Sequence, residues 1–568
     1  MSGRCVWKVA PLQDELRKEL TGKLDIPEII AQILINRGVS TVEDAVYFLE
    51  AGWDRLVDPG LMKDMDRALD RVVRAVQQQE KITIYGDYDV DGITATSLLY
   101  LVLTSLGAQV AYYIPERFGE GYGLNDIALE KLRGDGTQLV ITVDCGISAI
   151  AEVEKARNFY DIIITDHHEP GEALPTAHSI LNPKQRDCPF PHKQLAGVGV
   201  AFKLCQGLWQ RLGKPNAELY TYLDLVAVGT VADVVPLLGE NRVLVKEGLK
   251  QIAATANTGL KALLQVSGIK GKVNAGNIGF GIGPRINAAG RLSHALSAVE
   301  LLTTKDAERA AFLAQQLETE NLARRQIEEN IRLQADAVVA QMDLAAEKVL
   351  VIAGEHWHHG VIGIAASRIL DKYYRPTVMI SVEDGMGRGS CRSIKGFNMF
   401  EALDSCRDIL VKFGGHAAAA GFSILPENIG ELRRRLNARA NQLLTEADYL
   451  PVVAIDIPVQ LNDISLAFIE KLNILAPFGP GNPAPVLACR DMVITDVRVL
   501  GKDRKHLKLK VLHNKCAGEI VFWNQGELAA SLPVNSFIAA TFFPEINEWQ
   551  GQSLVQLHAS DIKRQGNR

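Results

Sequence analysis

Three aspartates at alternate positions are the first residues in this sequence whose spacing suggests chemistry. The stretch IYGDYDVDGITA, residues 84–95, places Asp87, Asp89 and Asp91 between an apolar run and an apolar helix-like run. On a strand, side chains two residues apart point to one face, so at least two of these carboxylates could converge. Carboxylates that close raise one another's pKa unless a cation neutralises them, which favours a bound metal ion. Taken alone, the stretch also fits an ordinary turn with solvated acids.

Further acids and histidines follow other apolar segments. Asp144 ends ITVDCG, the triplet Asp166, His167 and His168 ends IITDHH, and Asp233 lies in VGTVADVVPL after a predicted helix. Singly, such an aspartate is commonly a helix N-cap, and a His-His pair is commonly packed or exposed. Together, they predict an oxygen-rich site with one or two imidazoles, which suits Mn²⁺ or Mg²⁺ better than zinc. Two such ions can activate a water and stabilise the leaving oxygen of a phosphoester.

The segments that must position these residues alternate between strands and helices. The apolar runs KITIYGD, QLVITVDCG, DIIITDHH and SILNP are separated by helix-length segments. This pattern predicts a parallel sheet covered on both faces, which binds ligands beyond the carboxyl ends of its strands. Segment 305–345 has no Gly or Pro and predicts one long helix. A second α/β unit begins at KVLVIAG, and after LAPFGPGNPAP short alternating strands predict a small β barrel.

We therefore predict an α/β protein in five parts. They are an N-terminal helical segment (1–58), a parallel-sheet domain (59–304), a connecting helix (305–346), a second α/β domain (347–449) and a C-terminal β-barrel domain (450–568).

Composition sets a broad frame for these motifs. A chain of 568 residues is too long to fold around one hydrophobic core. Its content of 47% hydrophobic and 23% charged residues is typical of a globular protein. No apolar stretch approaches the roughly 20 residues that span a bilayer, so we expect a cytoplasmic protein without a membrane partner. The 8 cysteines form no C-x-x-C pair, which argues against a zinc ribbon or a disulfide framework. A net charge of -6 leaves any nucleic-acid binding to local basic patches.

The motifs carry a family resemblance. DYDVDG, VDCG, TDHHEP and VADVVP resemble the four motifs of the DHH phosphoesterase superfamily. The stretches IPERFGEGYG, GPRINAAGR, WHHGVIGIAASR, GRGSCRS and GGHAAAAG narrow the resemblance to the RecJ family of exonucleases, from about residue 60 to the barrel. The resemblance implies a DHH domain, a DHHA1 domain and an OB-like barrel. It also implies 5′ to 3′ digestion of single-stranded DNA to 5′ mononucleotides, with two Mn²⁺ or Mg²⁺ ions, in DNA repair and recombination. A single-strand-binding protein and a RecQ-type helicase are the protein partners it implies.

Residue by residue, the resemblance also implies a set of metal ligands. Asp144 would bridge the two ions, and the full set would be Asp89, Asp91, Asp144, His167 and Asp233. Asp87 would be a ligand or a neighbouring acid, His168 would lie beside the scissile phosphate, and Asp166 would orient a histidine. Tyr85 stands where pyrophosphatases of the superfamily carry a histidine, which is compatible with a weaker second ion.

Cationic residues in Gly-rich segments suit phosphate groups, because guanidinium binds phosphate oxygens bidentately. The candidates are Arg285, Arg291, Arg388 and Arg392. The resemblance adds Arg117 and Ser390, with Arg392, to a pocket for the 5′-terminal phosphate, and His359 and His416 to the substrate face of the second lobe. In the last domain, alternation of basic and apolar residues predicts a basic stripe of Lys502, Arg504, Lys505, Lys508 and Lys510. Edge strands also carry lysine to prevent aggregation, which is the alternative for this stripe.

Two other functions fit the same motifs. A short-oligonucleotide or cyclic-dinucleotide phosphodiesterase would need neither the barrel nor the basic stripe. A non-catalytic replication scaffold would not need every acidic position of the four motifs, and all of them are occupied. No G-x-x-x-x-G-K-[ST] motif is present, so nothing indicates ATP hydrolysis.

Overall fold

The structure is a computed structural model that describes residues 5–116, 123–292, 295–549 and 551–565. Arg117, predicted to bind substrate, lies outside these residues. The described chain forms two compact units. The first unit comprises Glu43–Leu322 and Leu475–Ala484, and the second comprises Met1–Val42, Ala323–Ile474 and Pro485–Arg568.

The N-terminal segment contains a strand that the sequence analysis did not predict. Its elements are β1 (Val6–Val9), α1 (Asp14–Leu24) and α2 (Glu28–Asn36). β1 pairs in parallel with Val452–Ile455 of the same unit, and the Trp7 indole donates a hydrogen bond to Asp561 at 2.8 Å. The prediction of helices alone for residues 1–58 is therefore incomplete. A four-residue strand held by a distant segment leaves no local signal.

The first unit is built on a parallel sheet with helices packed around it. Its strands are β2 (Lys81–Gly86), β3 (Gln109–Tyr113), β4 (Leu139–Val143), β5 (Asp161–Thr165) and β6 (Ser179–Leu181). They pair in the order β3-β2-β4-β5-β6, and every pairing is parallel. All residues of β4 are buried, because helices cover a parallel sheet on both faces.

The first unit also contains a series of helices. They are α3 (Val42–Glu50), α4 (Met65–Gln77), α5 (Val90–Ser105), α6 (Asp126–Gly134), α7 (Ile150–Ala156), α8 (Gly197–Arg211), α9 (Asn216–Tyr220), α10 (Leu223–Ala232), α11 (Gly239–Ile252), α12 (Thr258–Ser267), α13 (Ala275–Asn277), α14 (Gly283–Leu292) and α15 (Leu296–Thr303). A π-helical turn, Ile278–Ile282, precedes α14. Helix α16 (Ala307–Val339) runs from the first unit into the second, where the sequence predicts one long helix.

The second unit contains a mixed sheet followed by a closed barrel. The elements around the mixed sheet are β7 (Leu350–Glu355), α17 (His359–Tyr373), β8 (Thr377–Glu383), β9 (Met386–Arg392), α18 (Met399–Asp404), β10 (Leu410–Gly415), β11 (Ala419–Ile424) and α19 (Ile429–Leu443). The strands pair in the order β10-β11-β9-β8-β7. Only β7 and β8 pair in parallel within that order.

The barrel follows two short strands and one helix. The elements are β12 (Val452–Ile455), β13 (Ile457–Pro458), α20 (Leu466–Leu472), β14 (Leu487–Leu500), β15 (His506–His513), β16 (Cys516–Phe522), β17 (Phe537–Trp549) and β18 (Gln552–Arg564). Strands β14, β15, β16, β18 and β17 pair in that order, and β17 pairs back with β14 to close the barrel. The predicted fold class is thereby confirmed. Among the described residues, no helix has both the length and the apolar character to cross a bilayer.

Candidate metal centre

A turn, and not a strand, gathers the three aspartates of the first motif. β2 ends at Gly86, so Asp87 lies in the turn and Asp91 lies in the first turn of α5. Asp89 is the N-cap of α5, and its Oδ1 accepts hydrogen bonds from the backbone N–H of Asp91 at 2.9 Å and of Gly92 at 3.1 Å. The prediction that alternation along a strand brings these carboxylates together is therefore wrong, because the three aspartates follow the strand. The turn is tight, because a Cβ at Gly92 would lie 2.6 Å from the Asp87 carbonyl oxygen.

The N-terminus of α8 binds the innermost of these carboxylates. Asp91 accepts hydrogen bonds from the backbone N–H of Gly197 at 2.6 Å and of Val198 at 2.8 Å. A Cβ at Gly197 would lie 2.8 Å from Asp144 Oδ1, so only glycine fits between the two acids. The sequence analysis missed Gly197 and Val198. Their only signal is a pair of glycines within the apolar stretch AGVGVAF.

The remaining acids come from the ends of neighbouring elements. Asp144 directly follows β4 and adopts a left-handed backbone conformation with φ 59°, while its N–H donates to the Thr165 carbonyl at 3.0 Å. Asp166 directly follows β5, and Asp233 directly follows α10 as its C-cap. Because β2, β4 and β5 are adjacent parallel strands, their carboxyl ends meet at one edge of the sheet.

Burial gives the carboxylates unusual protonation equilibria. It raises the pKa of Asp91 to about 7, with a further contribution from the negative charge of Asp89. It raises the pKa of Asp233 to about 9, assisted by the charges of Asp91 and Asp89. The pKa of Asp144 also lies well above its usual value, through burial and the charge of Asp91. A cluster of this kind favours the uptake of either protons or cations.

His167 lies among three of these carboxylates. Its Nε2 is 3.1 Å from Asp144 Oδ1 and 3.9 Å from Asp91 Oδ2, and its Nδ1 is 3.6 Å from Asp233 Oδ2. Burial and the charge of His168 lower the pKa of His167 to about 4. Its imidazole is therefore neutral near pH 7, which is the form that binds metal ions.

Asp166 orients the neighbouring histidine. Its Oδ1 is 2.7 Å from His168 Nδ1 and accepts a hydrogen bond from the His167 N–H at 2.7 Å, while its Oδ2 accepts from the Ile147 N–H at 2.9 Å. Burial alone would raise the pKa of Asp166, but the hydrogen bond and charge of His168 lower it overall. Burial lowers the pKa of His168, but the contact with Asp166 outweighs burial and raises it.

The ligand atoms form three groups, each with its atoms within 4.8 Å of one another. The groups are Asp91, His167 and Asp233; Asp87, Asp89 and Asp144; and Asp144, His167 and His168. The first two share no residue, and Asp144 is the member of the second that also lies close to His167. Oxygen ligands with one imidazole suit Mn²⁺ or Mg²⁺.

A buried acceptor supports the fit to a cation. Asp233 Oδ2 is buried and accepts no hydrogen bond from the described residues, an arrangement that is costly without a ligand. Tyr85, at the position where pyrophosphatases of the superfamily carry a histidine, is a buried residue of β2. Its hydroxyl donates to the Gly123 carbonyl at 2.9 Å and accepts from Asn125 Nδ2 at 3.1 Å.

Four of the predicted substrate-binding residues lie on two neighbouring elements of the second unit, β9 and α17. Arg388, Ser390 and Arg392 alternate along β9, and Arg388 lies 3.4 Å from His359 Nε2 at the start of α17. A Cβ at Gly363 would lie 2.9 Å from Ser390 Oγ and 3.2 Å from a terminal guanidinium nitrogen of Arg392. The missing side chain at Gly363 therefore lets α17 approach the polar face of β9 closely.

Arg392 and His416 have different surroundings. The Arg392 guanidinium donates to Ser367 Oγ at 3.2 Å and to the Cys391 carbonyl at 2.7 Å. His416 is exposed in the turn between β10 and β11, where its N–H donates to the Ala419 carbonyl at 2.8 Å. Ala419 pairs with Arg392 across the sheet, so the turn adjoins the end of β9 that carries Arg392.

The two arginines of GPRINAAGR differ in burial. Arg285 is buried, its Nε is 2.6 Å from Glu318 Oε2, and its guanidinium donates to the Gly281 carbonyl at 2.7 Å. Glu318 and the Gly281 carbonyl occupy part of its donor set, and a direct contact of Arg285 with substrate stays a prediction. Arg291 is half-buried in the last turn of α14.

The basic stripe lies on the barrel, with part of its charge paired. On β15, Lys508 and Lys510 alternate with buried apolar residues. Lys508 is 2.8 Å from Glu519, and Lys505 is 3.1 Å from Asp503. The remaining predicted members, Lys502 and Arg504, are exposed.

Comparison with known proteins identifies the family. Three family models match the chain: the DHH family N-terminal domain at residues 81–230, the DHHA1 domain at 345–442 and the RecJ OB domain at 455–561. The single-stranded-DNA-specific exonuclease RecJ of Bacillus subtilis (strain 168) is 42% identical over 99% of this chain and 71% of its own length. The crystal structure of Thermus thermophilus RecJ in complex with Mn²⁺ has a TM-score of 0.86 and 33% identity, covering 100% of this chain and 81% of that one. Its Mg²⁺ complex has a TM-score of 0.79 and 31% identity, covering 100% and 79%. This chain belongs to the RecJ family.

Proposed function

We propose that this protein is a Mn²⁺- or Mg²⁺-dependent exonuclease that digests single-stranded DNA from the 5′ end and releases 5′ mononucleotides. The observation that carries the proposal is the pair of ligand groups without a common residue at the carboxyl edge of the parallel sheet. Family membership supports the choice of substrate, since the B. subtilis relative is a single-stranded-DNA-specific exonuclease. The T. thermophilus relative binds Mn²⁺ and Mg²⁺, which supports the choice of ion.

The ligand groups assign residues to two ions. Asp91, His167 and Asp233 would hold one ion, and Asp87, Asp89 and Asp144 would hold the other. Asp144 would serve both ions, which is supported by the 3.1 Å distance between its Oδ1 and His167 Nε2 of the other group. When bound, two divalent ions lower the pKa of a water and offset the charge that develops on a phosphodiester.

In this proposal, His168 interacts with the scissile phosphate and Asp166 orients His168. The hydrogen bond between His168 Nδ1 and Asp166 Oδ1 fixes the ring, and the His168 side chain is 46% exposed. The protonated ring holds positive charge beside the phosphate and can donate a proton to the leaving oxygen. The N–H groups of Ile147 and His167 hold the Asp166 carboxylate in place.

Residues of the second unit bind the terminal phosphate in this proposal. Ser390 offers a hydroxyl, and Arg392 and Arg388 offer guanidinium groups on the same face of β9. Guanidinium keeps its charge at any physiological pH and matches two phosphate oxygens. In this proposal, the basic residues of β15 contact the phosphate backbone of the DNA further from its 5′ end, without sequence preference.

The cellular context follows from the family. We propose a cytoplasmic role in DNA repair and recombination, with single-stranded DNA as the substrate. A single-strand-binding protein and a RecQ-type helicase are the partners that would supply such strands.

Digestion of a 3′-labelled, 5′-phosphorylated single strand tests the proposal. The same strand in a blunt duplex is the control for substrate form, and EDTA is the control for the metal. We expect progressive shortening of the labelled single strand in Mn²⁺. The duplex in Mn²⁺ and the single strand in EDTA should both stay intact. Immediate release of the label as a mononucleotide would reverse the polarity. An intact strand in Mn²⁺ would contradict the exonuclease function.

A further inference from the structure

Phe280 exposes its phenyl side chain to solvent. It is 82% exposed, the largest exposure among the large apolar side chains of the described residues. It lies in the π-helical turn Ile278–Ile282, whose first and last residues, Ile278 and Ile282, are fully buried. The turn is therefore anchored on both sides of an outward phenyl group. Single π-helical turns are rare and occur frequently at functional sites.

The turn and Gly283, which directly follows it, pack against two of the segments that carry metal-binding carboxylates. A Cβ at Gly279 would lie 4.0 Å from Val231 Cγ1, and a Cβ at Gly283 would lie 3.6 Å from the Cβ of Ala232 and 4.0 Å from Val90 Cγ2. Val231 and Ala232 immediately precede Asp233, and Val90 stands between Asp89 and Asp91. The packing therefore places the turn that carries Phe280 next to the segments that carry Asp89, Asp91 and Asp233.

Val234 is a second exposed apolar side chain next to a metal-binding residue. It directly follows Asp233, is 65% exposed and adopts a left-handed backbone conformation with φ 63°. That conformation is strained for a β-branched residue, and such strain persists mainly at functional sites. We call Val234 and Phe280 the apolar rim.

Arg285 holds the turn that carries Phe280. It donates to the Gly281 carbonyl at 2.7 Å and is bound through Nε to Glu318 at 2.6 Å, all within the first unit. A Cβ at Gly281 would lie 2.9 Å from Ile269 Cδ1, so glycine is needed for the turn to close on its neighbour. An arginine that the sequence assigns to substrate is thus placed to position the apolar rim.

We propose that the apolar rim contacts a base of the substrate strand beside the scissile phosphodiester, with Phe280 stacking on the base and Arg285 as its positioning residue. The inference rests on the proposed function and adds a base-binding site to it. A phenyl group has no hydrogen-bonding atoms, so it accepts any base and reads no sequence. It requires a base with an open face, which a single strand offers and a stacked duplex withholds. The rim therefore favours single strands over duplex next to the metal ions.

A cycle between protein and DNA variants tests the contact. Binding of a 5′-phosphorylated single strand is measured by fluorescence anisotropy in EDTA, for the intact strand and for strands with one abasic position moved along from the 5′ end. Phe280→Ala should weaken binding of the intact strand roughly 5- to 100-fold, as expected for one base–aromatic stack. Phe280→Trp should retain binding. Phe312→Ala is the matched control, because Phe312 is a 61% exposed phenylalanine of the same unit, on α16.

The position of the abasic site separates stacking from a general effect. At one position, the abasic strand should bind the wild-type protein more weakly, and Phe280→Ala should cause no further loss there. Arg285→Lys should weaken binding of the intact strand but not binding of the strand that is abasic at that position. Unchanged affinity of Phe280→Ala, or a constant loss at every abasic position, would overturn the proposal. Digestion by the wild-type protein in Mn²⁺ is scored separately, so the exonuclease function can stand while the base contact fails.

Discussion

Replacing Asp233 by Asn should stabilise the metal-free protein and weaken its stabilisation by Mn²⁺. Burial and the charges of Asp91 and Asp89 raise the pKa of Asp233 to about 9, against an ordinary value of 3.8. Between these two values the folded state holds a proton that the unfolded state releases. The stability of the metal-free protein should therefore fall as pH rises from about 4 to about 9.

The size of the effect follows from the same linkage. A solution pH of 7 lies about three units above the unfolded-state pKa of Asp233, and each unit corresponds to about 1.4 kcal/mol of unfolding free energy. Asparagine has no proton to release, so Asp233→Asn should raise the metal-free unfolding free energy by at most about 4 kcal/mol. With Mn²⁺ present, the variant loses a carboxylate ligand, binds the ion more weakly and gains less stability from it.

Thermal unfolding in EDTA and in excess Mn²⁺, from pH 6 to pH 9, measures both effects. Asp224→Asn is the matched control, because Asp224 lies in the first turn of the same helix, α10, and burial also raises its pKa. Asp224 bonds to the Thr255 hydroxyl and the Leu225 N–H and belongs to none of the ligand groups. Its substitution should shift the unfolding temperature equally with and without Mn²⁺. An equal loss of stability for Asp233→Asn in EDTA and in Mn²⁺ would refute the reasoning.

Four further outcomes test other parts of the site. Asp144→Asn should abolish cleavage while leaving single-strand binding in EDTA within about twofold, measured by digestion and anisotropy, because the acid holds ions and not DNA. Titration of the metal-free protein with Mn²⁺ in weak buffer at pH 7 should release protons, because burial raises the pKa of Asp233 to about 9; unchanged pH would contradict this. Arg392→Ala should reduce the rate advantage of a 5′-phosphorylated over a 5′-hydroxyl strand by about tenfold, whereas Arg407→Ala, on the same unit, should not. Lys510→Ala should lower the slope of log affinity against log salt by about one, and an unchanged slope would remove it from the DNA contact.

Local sequence patterns determined the part of the site that lies at strand ends. Asp144 and the Asp166–His168 triplet follow apolar runs, and these runs form adjacent parallel strands whose carboxyl ends meet. The alternation of Lys508 and Lys510 with apolar residues likewise predicts their outward position on β15. These features are readable because the period of a strand and the rule for parallel sheets depend on near neighbours in the chain.

Contacts between distant segments decided the rest. The chain order does not show that Gly197 and Val198 bind Asp91, that β1 pairs with β12, or that Glu318 turns Arg285 inward. Each of these depends on which surfaces pack together, and packing also sets the burial that shifts the pKa of every acid in the cluster. The sequence by itself determined which residues could bind metal and phosphate. The tertiary structure alone decided how closely these residues approach one another and how far they are buried, because distance and desolvation are properties of the packed chain.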